Sequence, residues 1–283
     1  IGKIVRTYTD RYAYENPKFN LLGSGKEWVG ENFNSNTATR TFSIPWTNSV
    51  STEPLKLYTH LSSRSLGASA EFRVSLNGNL AQNISISGVS GGLLDDYARE
   101  AKTQTSISPT NLGNASSLSV QIQYSGISSA EGWINRFSIQ GQKQLIYPNA
   151  NQGFYFNITR ENTGNLSRDS AVELRVSAPL NNGASAVIST DTRVWDISDP
   201  LNPVIVVSAN RGSEITVKTS IEMRKEFACF NPAQALTPIT PLSPIVPNQN
   251  LIGLAKGATN SNDYRGIIIV HPTLLTAANR LAS

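Results

Sequence analysis

The 283-residue sequence has a single cysteine, Cys229, and only two histidines, His60 and His271. One cysteine excludes an intrachain disulfide, so no covalent staple holds the fold. In an exported chain this fits a Gram-negative envelope better than a disulfide-built ectodomain. Two histidines far apart in sequence make no zinc ligand set. No apolar run approaches the roughly 18 residues of a membrane helix, so membrane association is expected only through partners or regions outside this sequence. Lys and Arg exceed Asp and Glu by a net charge of +4, but they are scattered. A basic stripe with interleaved aromatics is missing, which argues against a nucleic-acid partner. The sequence opens Ile1-Gly2, without Met or a signal peptide, and reads as a processed or recombinant piece.

What is present is the alphabet of β structure. Hydrophobic residues make up 39% and charged residues 16%, enough to build cores in a chain with room for two ordinary domains. Ser, Thr and Asn are plentiful. Residues 1–145 read as short strands punctuated by Gly, Asn and Ser: Val5–Tyr14, Glu27–Asn32, Thr39–Ile44, Leu55–Leu61, Phe72–Leu76, Leu80–Ile86, Glu100–Ile107, Leu118–Tyr124 and Trp133–Gln140. Asn77-Gly78 between two of them is a hairpin signal, because both residues tolerate the positive φ of a type I′ turn. Leu93–Ala101 has room for one helical turn. The set predicts an antiparallel sandwich of jelly-roll type.

Residues 146–230 continue in the same pattern as a smaller, Ig-like sandwich. Its strands are read at Gly153–Thr159, Ala171–Val176, Ala186–Ile188, Arg193–Ile197, Val204–Val207, Ile215–Thr219 and Glu226–Phe230. Residues 231–262 form a linker, rich in Pro and Thr up to 249, which favours extended backbone with few donors. At 263–283 the pattern changes. Gly266–Val270 is an unbroken apolar run, as in a strand buried on both faces. His271-Pro272 stops it, and Leu274, Leu275, Ala278 and Leu281 follow at helical spacing behind Thr273. Strand, tight turn and amphipathic helix are the first half of a βαβ unit. The expectation is therefore a mainly β chain leading into the truncated start of an α/β domain.

Three stretches carry a family resemblance. Asn20-Leu-Leu-Gly-Ser-Gly-Lys-Glu-Trp-Val-Gly-Glu-Asn-Phe33 resembles a segment ahead of the peptidase domain in gingipain-like cysteine peptidases that act as sortases of the type IX secretion system. Val194-Trp-Asp-Ile-Ser-Asp-Pro-Leu-Asn-Pro203 and Tyr264–Ala282 are similar to later segments of that family, in the same order. The resemblance implies a parent protein on the outer membrane or cell surface of Bacteroidetes. It implies a caspase-like peptidase domain beyond Ser283 that removes sorting domains from cargo and attaches the cargo to a lipopolysaccharide anchor. It also implies that this region positions secreted cargo or secretion-machinery components. The sequence departs from the family's catalytic pattern: no His-Gly is followed by a nucleophilic Cys. No catalytic residue, cofactor site or metal site is therefore carried over.

Each candidate for chemistry has a plainer reading beside it. Cys229, in Phe227-Ala-Cys-Phe230, has the surroundings of a buried apolar cysteine rather than of an activated nucleophile. His271 follows a strand end, where α/β sheets place sites, but a histidine there also serves to bond backbone. Asp95 and Asp96, behind Ser90-Gly91-Gly92, offer carboxylates to Ca²⁺; adjacent loop acids are also ordinary solvated turns. Glu27 and Glu31 share a strand face, as an acid/base pair would, and so do many structural acids. Gly23-Ser24-Gly25-Lys26 is too short for a phosphate loop. Trp28, Trp46, Trp133 and Trp195, with Tyr8, Tyr12 and Tyr14, are either a sugar-stacking platform or core. A stand-alone carbohydrate-binding or adhesin-like sandwich, the competing reading, requires that platform to be exposed. Loops near Ser24–Trp28 and Asp95 are where contacts are expected.

Overall fold

The computed structural model describes residues 3–23, 27–92, 94–108, 116–148, 153–164, 170–181, 184–220, 224–234 and 274–276. Compact units divide the chain at 1–235 and 236–283. In the first unit the alternation read from the sequence becomes two β-sandwiches, each closed over its own apolar core.

The N-terminus does not follow the order of the sequence. Strand β1 (Lys3–Val5) pairs in parallel with β12 (Ala171–Ser177), so it belongs to the second sandwich. The first sandwich begins with β2 (Thr7–Tyr14). It continues through β3 (Asn32–Phe33), β4 (Thr39–Pro45), β5 (Leu55–Arg64), β6 (Ala70–Leu76), β7 (Asn79–Ile86), β8 (Arg99–Ile107), β9 (Ser117–Ser125) and β10 (Glu131–Gln144). One sheet runs β2-β10-β5-β8, with β3 added to β10; the other runs β4-β9-β6-β7.

Alternation places Leu118, Val120, Ile122 and Tyr124 of β9 inward, facing Leu57, Leu61, Phe137 and Ile139 of the other sheet within one core. Phe33 meets Phe72 edge-on at 5.6 Å. A polar link crosses this core. Thr59 Oγ1 donates to Gln82 Oε1 at 2.7 Å, and Gln82 Nε2 donates to the Leu57 carbonyl at 3.2 Å. Pairing its hydrogen bonds lets a buried amide sit between the sheets without a desolvation penalty. The β6–β7 hairpin turns at Asn77 (φ 49°) and Gly78 (φ 81°), the left-handed pair that a type I′ turn needs.

The second sandwich contains β11 (Phe154–Ile158), β13 (Leu180–Asn181), β14 (Ala184–Ser185), β15 (Arg193–Asp196), β16 (Val204–Ile205), β17 (Ser208–Asn210), β18 (Glu214–Ser220) and β19 (Lys225–Phe230). Its sheets run β1-β12-β18-β17 and β11-β19-β15-β16. The core includes Val5 of β1 with Leu174, Val176, Val194, Ile215, Val217 and Phe227, and it recruits Tyr8 from β2 and Leu145 and Tyr147 from just beyond β10. Tyr8 packs edge-on against Phe154 at 5.6 Å, and Asn157 Nδ2 donates to the Thr9 carbonyl at 2.9 Å.

Three local expectations are corrected. Glu27–Asn32 is not a continuous strand: Val29 makes an isolated bridge to Phe19, and β3 begins only at Asn32. No helical turn forms among the described residues of Leu93–Ala101. Arg99 and its followers instead pair along β5, where a full ladder satisfies more backbone than one turn does. Ala186–Ile188 is not a strand; its amides donate to the Pro179 and Gly212 carbonyls in loops. Of the expected linker, Pro232–Gln234 forms a 3₁₀ turn, and the remainder lies outside the described residues. The expected strand Gly266–Val270 and His271 lie outside them too, while 274–276 is helical. No helix among the described residues is long and apolar enough to cross a membrane.

Candidate functional site

A cleft of about 580 Å³ lies on the outward face of the first sandwich, over β5, β8 and β10. Its floor is set by strand register. Ser62 on β5 stands opposite Glu100 on β8 and Trp133 on β10. Between Ile134 and Arg136 the β10 register shifts, and this bulge turns Asn135 onto the floor. Ser62 Oγ donates to Asn135 Oδ1 at 2.6 Å, with both residues buried. Beside them Glu100 takes His60 Nε2 at 2.5 Å and Lys102 Nζ at 2.7 Å. The Lys102 hydrogen bond, against the opposing effect of burial and with help from His60, holds the Glu100 carboxyl below its ordinary range.

One wall is built from residues 16–23 and 27–31, folded down over β10. Phe19 and Val29 close it with a β-bridge, and the Gly30 amide donates to the Ile134 carbonyl at 2.6 Å. A side chain at Gly30 would meet the Asn16 carbonyl at 2.9 Å, so the close approach needs glycine. Glu31 anchors this flap. Its Oε1 accepts from Tyr14 Oη (2.6 Å), Asn16 Nδ2 (2.9 Å) and Lys18 Nζ (2.9 Å). Burial alone would raise the Glu31 carboxyl, but these hydrogen bonds outweigh it and hold it below the usual range. Its second oxygen, Oε2, is buried without a partner among the described residues.

The other wall is 96–100. Asp95 shapes it. Hydrogen bonds from the Ser90 and Asp96 amides, and the charge of Arg99, bring its carboxyl down to about 2. Tyr97 stands at the rim with the Arg64 guanidinium over its ring, 4.2 Å from the centroid.

The residues singled out from the sequence separate at this point. Glu27 lines the cleft, whereas Glu31 sits behind it as an anchor, so the two do not converge as an acid/base pair. Asp96 lines the cleft. Asp95 is engaged by the turn, and no three His, Cys, Asp or Glu residues converge on a metal position among the described residues. The proposed aromatic platform is split. Trp46, Trp133 and Tyr8 are buried, Tyr14 is stacked on Phe137 at 5.0 Å, and Trp28 stands 50% exposed. Cys229 is fully buried in the second core, and desolvation pushes its thiol up to about 12, which removes it as a nucleophile. In the 194–203 motif the acids build turns: Asp196 accepts from Ser198 and Lys225, and Asp199 from Leu201 and Asn202. Sequence reasoning missed Asn135 and the His60–Glu100 pair, because a bulge position and a pairing between strands 40 residues apart leave no local signal.

No family model matches the sequence, and no curated protein matches it. Among solved structures, dimeric latent PorU from Porphyromonas gingivalis is similar over 99% of this chain, with a TM-score of 0.69 and 20% identity. The match covers 24% of that chain, so this chain spans about a quarter of the length of the PorU structure it resembles. A family 36 carbohydrate-binding module in complex with calcium and xylotriose aligns over 46% of this chain and 98% of its own, at 12% identity and a TM-score of 0.30. A family 35 module from Clostridium thermocellum aligns over 46% and 90%, at 11% identity and a TM-score of 0.27. Likeness at those two scores carries no argument about what this chain binds. At the level of fold, this mainly β chain is similar to about a quarter of the PorU structure.

Proposed function

We propose that this chain is the non-catalytic β region preceding a gingipain-like cysteine peptidase domain, and that it positions cargo or secretion-machinery components for that domain. The carrying observation is the PorU-like fold across 99% of the chain, which accounts for only 24% of the PorU structure and leaves ample length for a peptidase domain. The three ordered sequence motifs support the same parent. In this reading, 263–283 is the opening strand and helix of that domain. The protein is exported and works in the periplasm, at the outer membrane or on the surface of a Gram-negative bacterium, as a sortase-type component of type IX secretion. The burial of Cys229 agrees with a nucleophile that lies elsewhere. The rival reading, a free-standing carbohydrate-binding module, calls for an exposed aromatic row. Trp46, Trp133 and Tyr8 are instead inside the molecule.

The test is the intact mass and C-terminal peptide sequence of the protein isolated from its source cells. A chain continuing roughly 200 or more residues past Ser283, the size of a complete α/β domain, and bearing His-Gly and a strand-terminal Cys, is the expected result. A natural chain ending near Ser283 overturns the proposal.

A further inference from the structure

The charge of the cleft runs against that of the chain. In a protein of net charge +4, the lining carries three carboxylates, Glu27, Asp96 and Glu100, against one guanidinium, Arg99. Arg99 is already engaged elsewhere: one nitrogen lies 3.6 Å from Asp95 Oδ1, and another donates to Ser87 Oγ at 2.9 Å. Glu27 and Asp96 are exposed at the mouth, and their carboxylates take no hydrogen bond or ion pair among the described residues. Lys102, the lysine beside Glu100, is itself bonded to that carboxylate at 2.7 Å.

A second observation at the floor is independent of charge. Asn135 is only 9% exposed, and its Oδ1 accepts from Ser62. Its amide nitrogen carries two N–H donors that have no partner among the described residues, and the side chain lines the cleft. The nitrogen opens onto the cleft and offers both donors to an acceptor bound there. Val29, Ala98 and Leu21 give the walls an apolar stretch between floor and mouth.

From these features we infer that the cleft captures a basic side chain, arginine or lysine, presented by an extended peptide. The peptide's carbonyl oxygen accepts from Asn135, its aliphatic stem lies along Val29 and Ala98, and its cationic head meets Glu27 and Asp96. An acidic ligand is repelled by the lining. A neutral sugar leaves the carboxylates uncompensated and finds the Tyr97 ring already covered by Arg64. The cleft's volume lies within the roughly 300–1,000 Å³ of ordinary ligand sites. That the captured peptide belongs to cargo rests on the function proposed above; the chemistry of the cleft does not.

The test is titration of the ¹⁵N-labelled 283-residue chain with acetyl-Gly-Arg-Gly-amide, followed by amide chemical shifts. The same peptide with central Gln or Glu, and maltotriose, serve as comparisons. The arginine peptide is expected to shift the Asn135 side-chain amide, Ser62 and Glu100 saturably. Glu27→Gln with Asp96→Asn should weaken binding about fivefold or more, as should a tenfold rise in salt, because exposed charge pairs are screened. Asn135→Ala should abolish the site; if it fails to fold, the two exposed carboxylate variants still decide the matter. Equal binding of the glutamine peptide, shifts confined to other residues, or maltotriose binding in place of the arginine peptide would overturn the inference. Arginine-peptide binding by a protein whose natural chain ends without a peptidase domain keeps this site and dismisses only the cargo assignment. A natural peptidase whose β region shows no arginine preference dismisses the site alone.

Discussion

Glu31 shows how one side chain fixes a wall of the cleft. Three donors, from Tyr14, Asn16 and Lys18, converge on one buried oxygen and tie this wall to β2 through Tyr14. Removing the charge with Glu31→Gln should cost about 1.5–3 kcal/mol, the usual range for a hydrogen bond to a charged group, as read by urea unfolding at neutral pH. The folded carboxyl lies below its ordinary value of 4.5. The stability it contributes is therefore fully present above that value and is lost as pH falls through the folded pKa. Glu31→Gln should correspondingly flatten the acid limb of the stability profile, whereas an unchanged acid limb would show that the anchor is not ionised. The spacing of Glu27 and Glu31 is visible in the sequence. Their division into a cleft-lining acid and a buried anchor is not, since it depends on which of them the flap presses against Tyr14.

At the scale of elements, the hairpin at Asn77-Gly78 was legible because turn chemistry is local. Positive φ at both residues follows from the dipeptide itself. Gly78→Ala meets no atom within 4 Å, so its cost is backbone strain alone, about 1–2 kcal/mol for a left-handed non-glycine residue. Equilibrium unfolding should show that loss with an unchanged dependence on denaturant. A neutral substitution would mean that the turn relaxes to another type. The failures at Leu93–Ala101 and Ala186–Ile188 share a cause. Short apolar stretches carry too few residues to reveal their period, and the outcome was decided by whether a partner strand ran alongside. Arg99–Ile107 had β5 beside it; 186–188 had only loop carbonyls.

On the scale of the whole molecule, the two sandwiches are joined by more than a linker. β1 enters the second sandwich before β2 opens the first, and Tyr8, Leu145 and Tyr147 carry the flanks of β2 and β10 into the second core. A substitution at the extreme N-terminus should therefore be felt about 170 residues away in sequence, at the partners of β1. Val5→Ala removes two buried methyl groups, worth about 2 kcal/mol by transfer. The loss should appear in hydrogen exchange at β12 and β18 while β6 and β9 keep their protection. Uniform loss across both sandwiches would mean that they unfold as one cooperative unit, and no effect at β12 would place β1 outside the second sheet.

The amino-acid pattern by itself determined that this protein is built from alternating strands, where the main turns fall, and that Cys229 is a core residue. These follow from side-chain period, turn chemistry and local apolarity, all properties of neighbouring residues. Only tertiary structure decided which strands share a sheet, that the N-terminal strand belongs to the second sandwich, and that Ser62, Glu100 and Asn135 meet on one floor. Those facts depend on register between distant strands and on a single bulge in β10. The sequence carries no nearby mark of either, because the energy that selects them is burial summed over two whole cores.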